Sequence, residues 1–382
     1  MATLLTQETA TKSTHQGPST TVYEKGLQVG DDINRITKIE TFRVRPRWLF
    51  VRVETSKGIV GWGEATLEGH SEAVEGAFVD FRERFIGWDA ANIEDIYQSA
   101  YRHRFYRGGE VLMSALSGLD IALWDIKGKT LGVPVWELLG GKVRERANVY
   151  GWIGGDRPSD VLEQAKARKE QGFTAVKMNA VESLGWLDSP HALEATVQRL
   201  KDVKSVGIDV GLDFHGRVHK TLAKQLAAAL EPHKPLFIEE PLLPGHVPEV
   251  KELYRKTNIP IALGERLFTR QDVRPYFEAG CIDIIQPDIS HAGGISETRR
   301  IAAFAETYDI GMHYNAGDFD LFTYLKNPEV FAVKNGAVEI LTGPGLGIEL
   351  DEDLIRKNAE ENKDFSWRNP TWRGPDGAIR EW

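Results

Sequence analysis

The sequence of 382 residues contains a single cysteine, Cys281, and no long apolar run. One thiol excludes an intrachain disulfide and a zinc site built from cysteines. It is typical of a chain kept in a reducing compartment, so we expect a cytoplasmic location. A membrane-spanning helix needs roughly 18 consecutive apolar residues. No segment approaches that length, so we expect no membrane partner.

Positive charge is also in deficit. Lys and Arg number 47 against 56 Asp and Glu, which gives a formal net charge of −9. Nucleic acids and anionic membranes bind basic surfaces, so we expect neither as a partner. A small anionic substrate is still compatible with this charge, because one metal ion or one arginine reverses the sign locally.

Residues 1–33 lack arginine and show no helical period. They are rich in Thr and Ser and include Glu8, whereas a mitochondrial presequence is rich in Arg and poor in acids. We interpret this segment as a disordered tail that takes no part in the fold.

An α+β domain is predicted over residues 34–146. Three β-rich runs, separated by turn residues, indicate an antiparallel meander: 36–44, 48–55 and 58–66. Three helical patterns follow, at 71–85, 92–105 and 114–132. The last has Leu116, Leu119 and Leu123 at helical spacing, and Gly132 ends it.

Strand-like and helical segments then alternate over residues 147–334. Six such units predict a parallel sheet, and so many in one run favour a (β/α) TIM-like barrel over an open doubly wound sheet. No GxGxxG follows the first strand, which argues against dinucleotide binding. Residues 335–382 are expected to return to the first domain, with a strand pair at 337–341 and 347–353.

Three carboxylates close consecutive strands of the predicted barrel. Asp213, Glu239 and Glu265 follow one another at intervals of 26 residues, one βα unit each. The C-terminal ends of neighbouring barrel strands converge on one mouth. Three oxygen ligands suit Mg²⁺, whereas zinc more often recruits His or Cys. A single acid at a strand end is commonly a helix cap or a surface ion pair, but three in register indicate a metal site.

Two histidines and a fourth acid lie close to these positions in the sequence. His215 is two residues after Asp213 and therefore shares its side of the strand, where it could act as a general acid. Asp288 ends the next strand and could ligate a metal or orient a histidine. His291, three residues later, is equally well interpreted as a loop residue.

With these residues in place, the chain resembles the enolase superfamily, mandelate-racemase subgroup, and within it the galactonate dehydratases. The resemblance runs from about Ile36 to the C-terminus. It rests on ten stretches taken together: GIVGWGEA, FYRGG, LWDIKGK, GWIGGDRP, GLDFHGR, PLFIEEP, GERLF, QPDISHAGG, PGLGIELDE and WRNPTWR.

The resemblance implies roles for individual residues. It implies Mg²⁺ binding by the three strand-end carboxylates, and general-acid catalysis by His215 on a departing hydroxyl. The first domain would cap the barrel, with residues 105–109 in the capping loop. Relatives with a Lys-x-Lys base have a second lysine where this chain has Asn179 after Lys177, so no lysine base is expected and racemisation is disfavoured.

One departure from the family concerns the base. In relatives the seventh strand ends in a histidine base partnered by the acid equivalent to Asp288. Here AETYDI runs directly into GMHYN, which resembles a segment beyond strand eight in relatives, and about one βα unit of roughly 30 residues is missing. Three interpretations follow: a chain that skipped a segment, a catalytically weakened protein, or a local adaptation in which His313 replaces the base. A loop role for His313 is the simpler alternative.

The expected function is therefore a Mg²⁺-dependent dehydratase of an acid sugar, with D-galactonate as substrate and impaired activity. The alternatives are a catalytically inactive metal-binding relative and a dehydratase of another aldonic acid such as gluconate. A homo-oligomer is expected.

Overall fold

The computed structural model describes residues 26–27, 32–102, 105–313 and 319–381, and at 319–321 it describes the backbone alone. Most of the predicted tail, residues 1–33, lies outside this description. The domain limits drawn from the sequence stay a prediction, but the secondary structure around them is defined.

The first part of the chain is an antiparallel sheet covered by helices, as predicted. Its strands, in the order β1-β2-β3, are β1 (Ile36–Val44), β2 (Trp48–Thr55) and β3 (Val60–Glu64). The helices are α1 (Ser71–Phe85), α2 (Ile93–Arg102), α3 (Glu110–Leu131) and α4 (Val135–Leu138). Helix α3 lies directly on β3, because a side chain at Gly61 or Gly63 would collide with its backbone.

A parallel sheet follows, with an α-helix between each pair of strands. Its strands are β5 (Gly151–Ile153), β6 (Ala175–Asn179), β7 (Asp209–Asp213), β8 (Ile238–Glu239), β9 (Ile261–Leu263), β10 (Ile284–Ile285) and β11 (Gly311–Met312). The helices are α5 (Val161–Glu170), α6 (Pro190–Ser205), α7 (Lys220–Leu230), α8 (Val247–Tyr254), α9 (Arg270–Ala279) and α10 (Gly294–Glu306). A short strand, β4 (Arg146–Asn148), precedes them. The largest hydrophobic core lies between this sheet and its helices.

Six complete units and a seventh short strand confirm that the barrel lacks a unit. The order β11-β10-β9-β8-β7-β6-β5 places β5 and β11 at the two edges, with no further strand of this sheet among the described residues. The sheet is nevertheless strongly curled. Gln286 Nε2, just after β10, donates to the Tyr150 hydroxyl, just before β5, at 2.7 Å across the interior.

The gap between the edge strands β5 and β11 is called the open seam below. A cavity of about 450 Å³ lies beside it. Its lining is almost entirely apolar and comes from both ends of the gap. Phe50 and Trp62 belong to the first sheet, Val149 and Phe173 to the barrel, and Val333 and Val338 to the C-terminal segment. The side chains that an eighth strand would supply are absent from this side of the described barrel.

The C-terminal segment differs from its predicted form in one respect. Residues 337–341 do contain a strand, β12 (Ala337–Glu339), but it pairs antiparallel with β4. Residues 347–353 form no strand, and only Leu350 makes an isolated bridge, to Leu325. The predicted pairing between the two runs is therefore wrong, because β4 offered a free edge.

A helix in this segment had no counterpart in the sequence analysis. It is α11 (Glu352–Glu361), which Asp351 caps by accepting a hydrogen bond from the Leu354 amide at 3.0 Å. Arg356 on this helix pairs with Glu40 of β1 at 3.1 Å, so the C-terminal segment does contact the first sheet. None of the helices that the structure describes is long and apolar enough to cross a bilayer.

Candidate metal-binding active site

Asp213 is the last residue of β7 and is almost completely buried. Parallel register sets it beside Asn179 on β6 and Glu239 on β8, so the three side chains start at one level of the sheet. One carboxylate oxygen of Asp213 accepts the His215 amide at 2.6 Å. The other lies 3.1 Å from the Lys177 ammonium.

Lys177 connects two of the predicted ligands. Its Nζ donates to Asp213 at 3.1 Å and to Glu239 at 2.7 Å, and all three side chains are buried. Burial opposes the ammonium form, but the charges of Glu239 and Asp213 outweigh it and raise the pKa of Lys177 well above its ordinary value. These two carboxylates therefore favour the ammonium form of Lys177. The sequence analysis had noted Lys177 only for the missing second lysine.

Glu265 reaches the same site from the turn after β9. The preceding residue, Gly264, has φ 152°, and any side chain there would collide with the backbone of Gln286. One ligand atom each of Asp213, His215 and Glu265 lies within 4.8 Å of the other two. The structure thus brings His215 into this group, whereas Glu239 bonds to Lys177 at its edge.

Glu239 is the carboxylate least compensated by its surroundings. Burial raises its pKa well above the ordinary value, and the charges of Asp213 and Glu265 add to the effect of burial against the contribution of Lys177. Asp213 and Glu239 share the single ammonium group of Lys177, and Glu265 lies nearby. This excess of buried negative charge is the electrostatic signature of a cation site.

His215 stands above the carboxylates in a left-handed backbone conformation, with φ 51°. Its Nδ1 lies 3.6 Å from Asp213, and the side chain is 21% exposed. Burial disfavours the charged ring, but its interaction with the Asp213 carboxylate outweighs burial and raises the pKa of His215. The histidine therefore faces the site in a form that can donate a proton.

A second acid of the β8 terminus was missed by the sequence analysis. Glu240 is buried with φ 40° and forms an ion pair with Arg266. The two are separated by the same interval of 26 residues as Glu239 and Glu265. That repeated spacing was the available sequence signal. The ion pair between Glu240 and Arg266 fixes the turn from which Glu265 projects.

Asp288 and His291 lie on the neighbouring loop, after β10. The His291 ring is buried, with Nδ1 2.8 Å from the Ser114 hydroxyl and Nε2 3.7 Å from Glu68 and 3.9 Å from Asp288. Ser114 belongs to α3 and already donates to the Glu110 carbonyl at 2.6 Å, so it accepts from His291. His291 therefore joins the two parts of the chain.

Asn179 and Arg217 line the loops around this site. Asn179 Nδ2 donates to the carbonyls of Gly155 and Asp156, each at 3.1 Å. Arg217 is fully buried and donates to the Asp156 carbonyl at 2.6 Å. Burial lowers the pKa of Arg217 to about 10, with the nearby charges of Asp213 and Asp156 acting in the opposite direction.

His313 follows β11 and has an exposed side chain. Its amide donates to the Ile285 carbonyl at 3.1 Å, which extends the sheet by one bond. Among the described residues, no carboxylate lies within ion-pairing distance of its ring. The residues that follow, 314–318, are outside the description. The predicted capping-loop residues Phe105 and Tyr106 are exposed, 91% and 82%.

Two family descriptions match this chain. Residues 36–140 match the mandelate racemase / muconate lactonizing enzyme N-terminal domain, and residues 160–321 match the enolase C-terminal domain-like family. The chain belongs to the mandelate racemase / muconate lactonizing enzyme family. The family predicted from the sequence motifs is confirmed.

Curated relatives agree. The D-galactonate dehydratases of Variovorax paradoxus (strain S110) and Verminephrobacter eiseniae (strain EF01-2) are each 44% identical over 91% of this chain and 100% of their own length. This chain is accordingly an enzyme of the hydro-lyase class. The alignment spans 384 positions, whereas 91% of 382 residues is about 348, so about 36 positions of the relative have no counterpart here. That difference matches the absent barrel unit.

Solved structures show the same architecture. An enolase from Agrobacterium radiobacter with bound Na and L-malate is 27% identical, with a TM-score of 0.80 over 91% of this chain and 99% of that one. A mandelate racemase/muconate lactonizing enzyme from Sulfitobacter sp is also 27% identical, with a TM-score of 0.78 over 91% and 98%.

Proposed function

We propose that this chain is a Mg²⁺-dependent dehydratase of aldonic acids, that D-galactonate is its substrate, and that its turnover is slow. The cluster of Asp213, His215 and Glu265, within 4.8 Å of one another, supports the metal site. The 44% identical relatives named D-galactonate dehydratase support the substrate.

The donor set fits a hard divalent cation. Asp213, Glu239 and Glu265 would hold Mg²⁺ through carboxylate oxygens, its preferred ligands, and the described site offers no cysteine. The raised pKa of Glu239, caused first by burial, indicates negative charge that Lys177 alone does not balance. When bound, such a cation stabilises the charge that develops on the substrate carboxylate as the α-proton leaves.

His215 would supply the proton for the leaving group. Its ring is partly exposed beside Asp213, where a β-hydroxyl of the substrate can reach it. Transfer of that proton releases the hydroxyl as water, and the enol left behind tautomerises to a 2-keto-3-deoxy acid. Lys177 takes no part in proton transfer, because two buried carboxylates retain its proton.

Slow turnover follows from the open side of the barrel. Asp288 stands where the resemblance places the partner of a base, yet its described histidine neighbour, His291, is fixed between Ser114 and two acids. His313 has an exposed ring and no described acid to orient it. Within the described ranges, no residue is therefore placed to abstract the α-proton.

The test is a direct assay. The purified chain with Mg²⁺ and D-galactonate should form 2-keto-3-deoxygalactonate about 10²- to 10⁴-fold more slowly than the Variovorax relative, the usual contribution of a general base. His313→Ala should leave the residual rate unchanged. Turnover equal to that of the relative would contradict the missing base.

A second function is favoured by the same open seam: a non-catalytic relative that binds the metal and an acid sugar. Magnesium binding without either product or α-deuterium exchange would distinguish it from a slow dehydratase. Gluconate and other aldonic acids serve as competing substrates in that assay, since capping-loop contacts set the choice. A homo-oligomer in the cytoplasm completes the proposal.

A further inference from the structure

We propose that Trp372 is a positioning residue of the active site, which fixes three loops of the barrel mouth around His215 through its contact with Arg217. The link to catalysis rests on the proposed function. The link to loop order rests on the contacts alone.

Trp372 lies in the C-terminal segment but packs against the barrel. Its ring is buried, with 6% exposure. The guanidinium carbons of Arg157 and Arg217 each lie over it, 4.6 Å from the ring centroid. This distance is typical of cation–π contacts, which strengthen when the cation is shielded from water.

Arg217 needs this ring as a partner. It is 1% exposed, and one terminal nitrogen donates to the carbonyls of Asp156 at 2.6 Å and Val181 at 3.3 Å. Among the described residues, its Nε and second terminal nitrogen have no hydrogen-bond acceptor. The aromatic face of Trp372 therefore adds to the charges of Asp213 and Asp156 in stabilising this buried guanidinium.

Arg217 in turn joins three consecutive loops. Asp156 follows β5, Val181 follows β6 and Arg217 itself follows β7. Asn179 strengthens the first junction by donating to the same Asp156 carbonyl at 3.1 Å. Loops at the C-terminal ends of barrel strands form the active site in this architecture. His215, two residues before Arg217, projects from the third of these loops.

The segment around Trp372 is also fastened to the first sheet. We call residues 363–380 the C-terminal clasp. Arg43 on β1 donates to the carbonyls of Phe365 at 3.0 Å and Lys363 at 3.1 Å. Within the clasp, the Arg380 amide donates to the Trp372 carbonyl at 3.0 Å. This bond constrains the backbone that carries the indole ring.

The clasp therefore connects the first sheet to the loops that surround His215. Removing the indole ring should leave the clasp backbone attached while freeing Arg217. The loops at 154–160, 181–189 and 214–219 should then open more often, and substrate should bind more weakly. Trp372→Phe keeps an aromatic face beneath Arg217, so the three loops should remain almost as ordered as in the parent chain.

The experiment compares four full-length proteins: the parent chain, Trp372→Ala, Trp372→Phe and Trp136→Ala. Trp136 is the matched control, because it also bonds the C-terminal segment (Leu341 carbonyl, 2.8 Å) and also has a cation nearby (Lys142, 5.5 Å). Amide hydrogen exchange by mass spectrometry measures loop order. Isothermal titration with Mg²⁺ and D-galactonate measures binding.

In Trp372→Ala we expect exchange in the three loops to rise about tenfold and galactonate affinity to fall about tenfold, with Trp372→Phe within about threefold of the parent. Trp136→Ala should change neither. The proposal would be overturned if loop exchange were unchanged in Trp372→Ala, if Trp136→Ala had an equal effect, or if Trp372→Phe did not restore slow exchange. Faster loop exchange with unaltered galactonate affinity would also overturn it. If galactonate binds none of the four proteins, the proposed substrate is wrong, and loop exchange still decides whether Trp372 orders the mouth.

Discussion

The two sides of the barrel differ in what their residues can do. On β7 to β9 each strand is paired on both sides. Strands β7 and β8 end in the buried acids Asp213 and Glu239, and Glu265 follows β9 in a turn. Lys177 pairs with Glu239, and Arg266 pairs with the neighbouring Glu240. On the side of β5 and β11 the sheet has free edges beside an apolar cavity of about 450 Å³. The proposed metal site uses only the first side, whereas the family resemblance implies that proton abstraction uses residues from the second. We therefore expect that the fold and the activity can be separated in this chain.

The largest effect should come from closing the seam. The segment of about 36 positions that the Variovorax relative has and this chain lacks can be grafted between Ile310 and Gly311. We expect D-galactonate turnover to rise about 10³-fold, because a general base contributes about that factor. A correctly folded graft with unchanged turnover would show that the base is not what the open side lacks.

Removing one proposed ligand on the side of β7 to β9 should weaken Mg²⁺ binding. Glu265→Gln should weaken Mg²⁺ binding about 100-fold, because a charged oxygen ligand is lost from a set of three. The matched change Asp288→Asn, on the next loop, should alter Mg²⁺ affinity by less than about threefold. Calorimetric titration measures both. Equal losses would place Asp288 in the metal site as well.

The same substitution should behave differently on the two sides. Val210→Phe on β7 overpacks a closed core and should lower the free energy of unfolding by about 1–3 kcal/mol. Val333→Phe fills space in the seam cavity and should change it by less than about 1 kcal/mol. Urea denaturation gives both values, and equal destabilisation would mean that the seam is packed as tightly as the core.

The last effect concerns the contact between the two parts of the chain. Asp120 on α3 accepts the Ser296 amide of α10 at 3.0 Å, and burial raises its pKa to about 7 from the model-compound value of 3.8. The folded state thus binds a proton that the unfolded state has released. Between pH 4 and 7 this carboxyl should lower the free energy of unfolding by about 1.4 kcal/mol per pH unit as pH rises.

Asp120→Asn removes this titration, so the difference between the variant and the parent should vary with pH over that window and level off above pH 7. Thermal melts at constant ionic strength provide the measurement. A difference independent of pH would show that Asp120 is ionised in the folded state throughout.

Much of the architecture could be predicted from local patterns. The interval of 26 residues placed Asp213, Glu239 and Glu265 on successive strands, because each βα unit has a regular length. The partners of those acids could not be predicted in this way. Lys177 reaches Asp213 and Glu239 from β6, and Arg266 pairs with the neighbouring Glu240. Both roles depend on side-chain directions that sequence spacing does not determine.

The C-terminal segment shows the same limit. The run at 337–341 was predicted as a strand from its apolar residues, but its partner, β4, lies about 190 residues earlier in the chain. Helix α11 is short and mostly polar and buries only Ile355, so few apolar positions were available from which to predict it. Long-range contacts decide both outcomes.

We contrast a metal-binding side at β7 to β9 with an incomplete side at β5 and β11. Exchange of the α-proton of D-galactonate with solvent tests this contrast most directly. The chain, with saturating Mg²⁺ and D-galactonate in D₂O, is followed by NMR beside the Variovorax relative. We expect galactonate to bind to both proteins, and the α-proton to exchange at least about 100-fold more slowly with this chain. Exchange at the rate of the relative would contradict the claim, since a functional base would then be present despite the open seam.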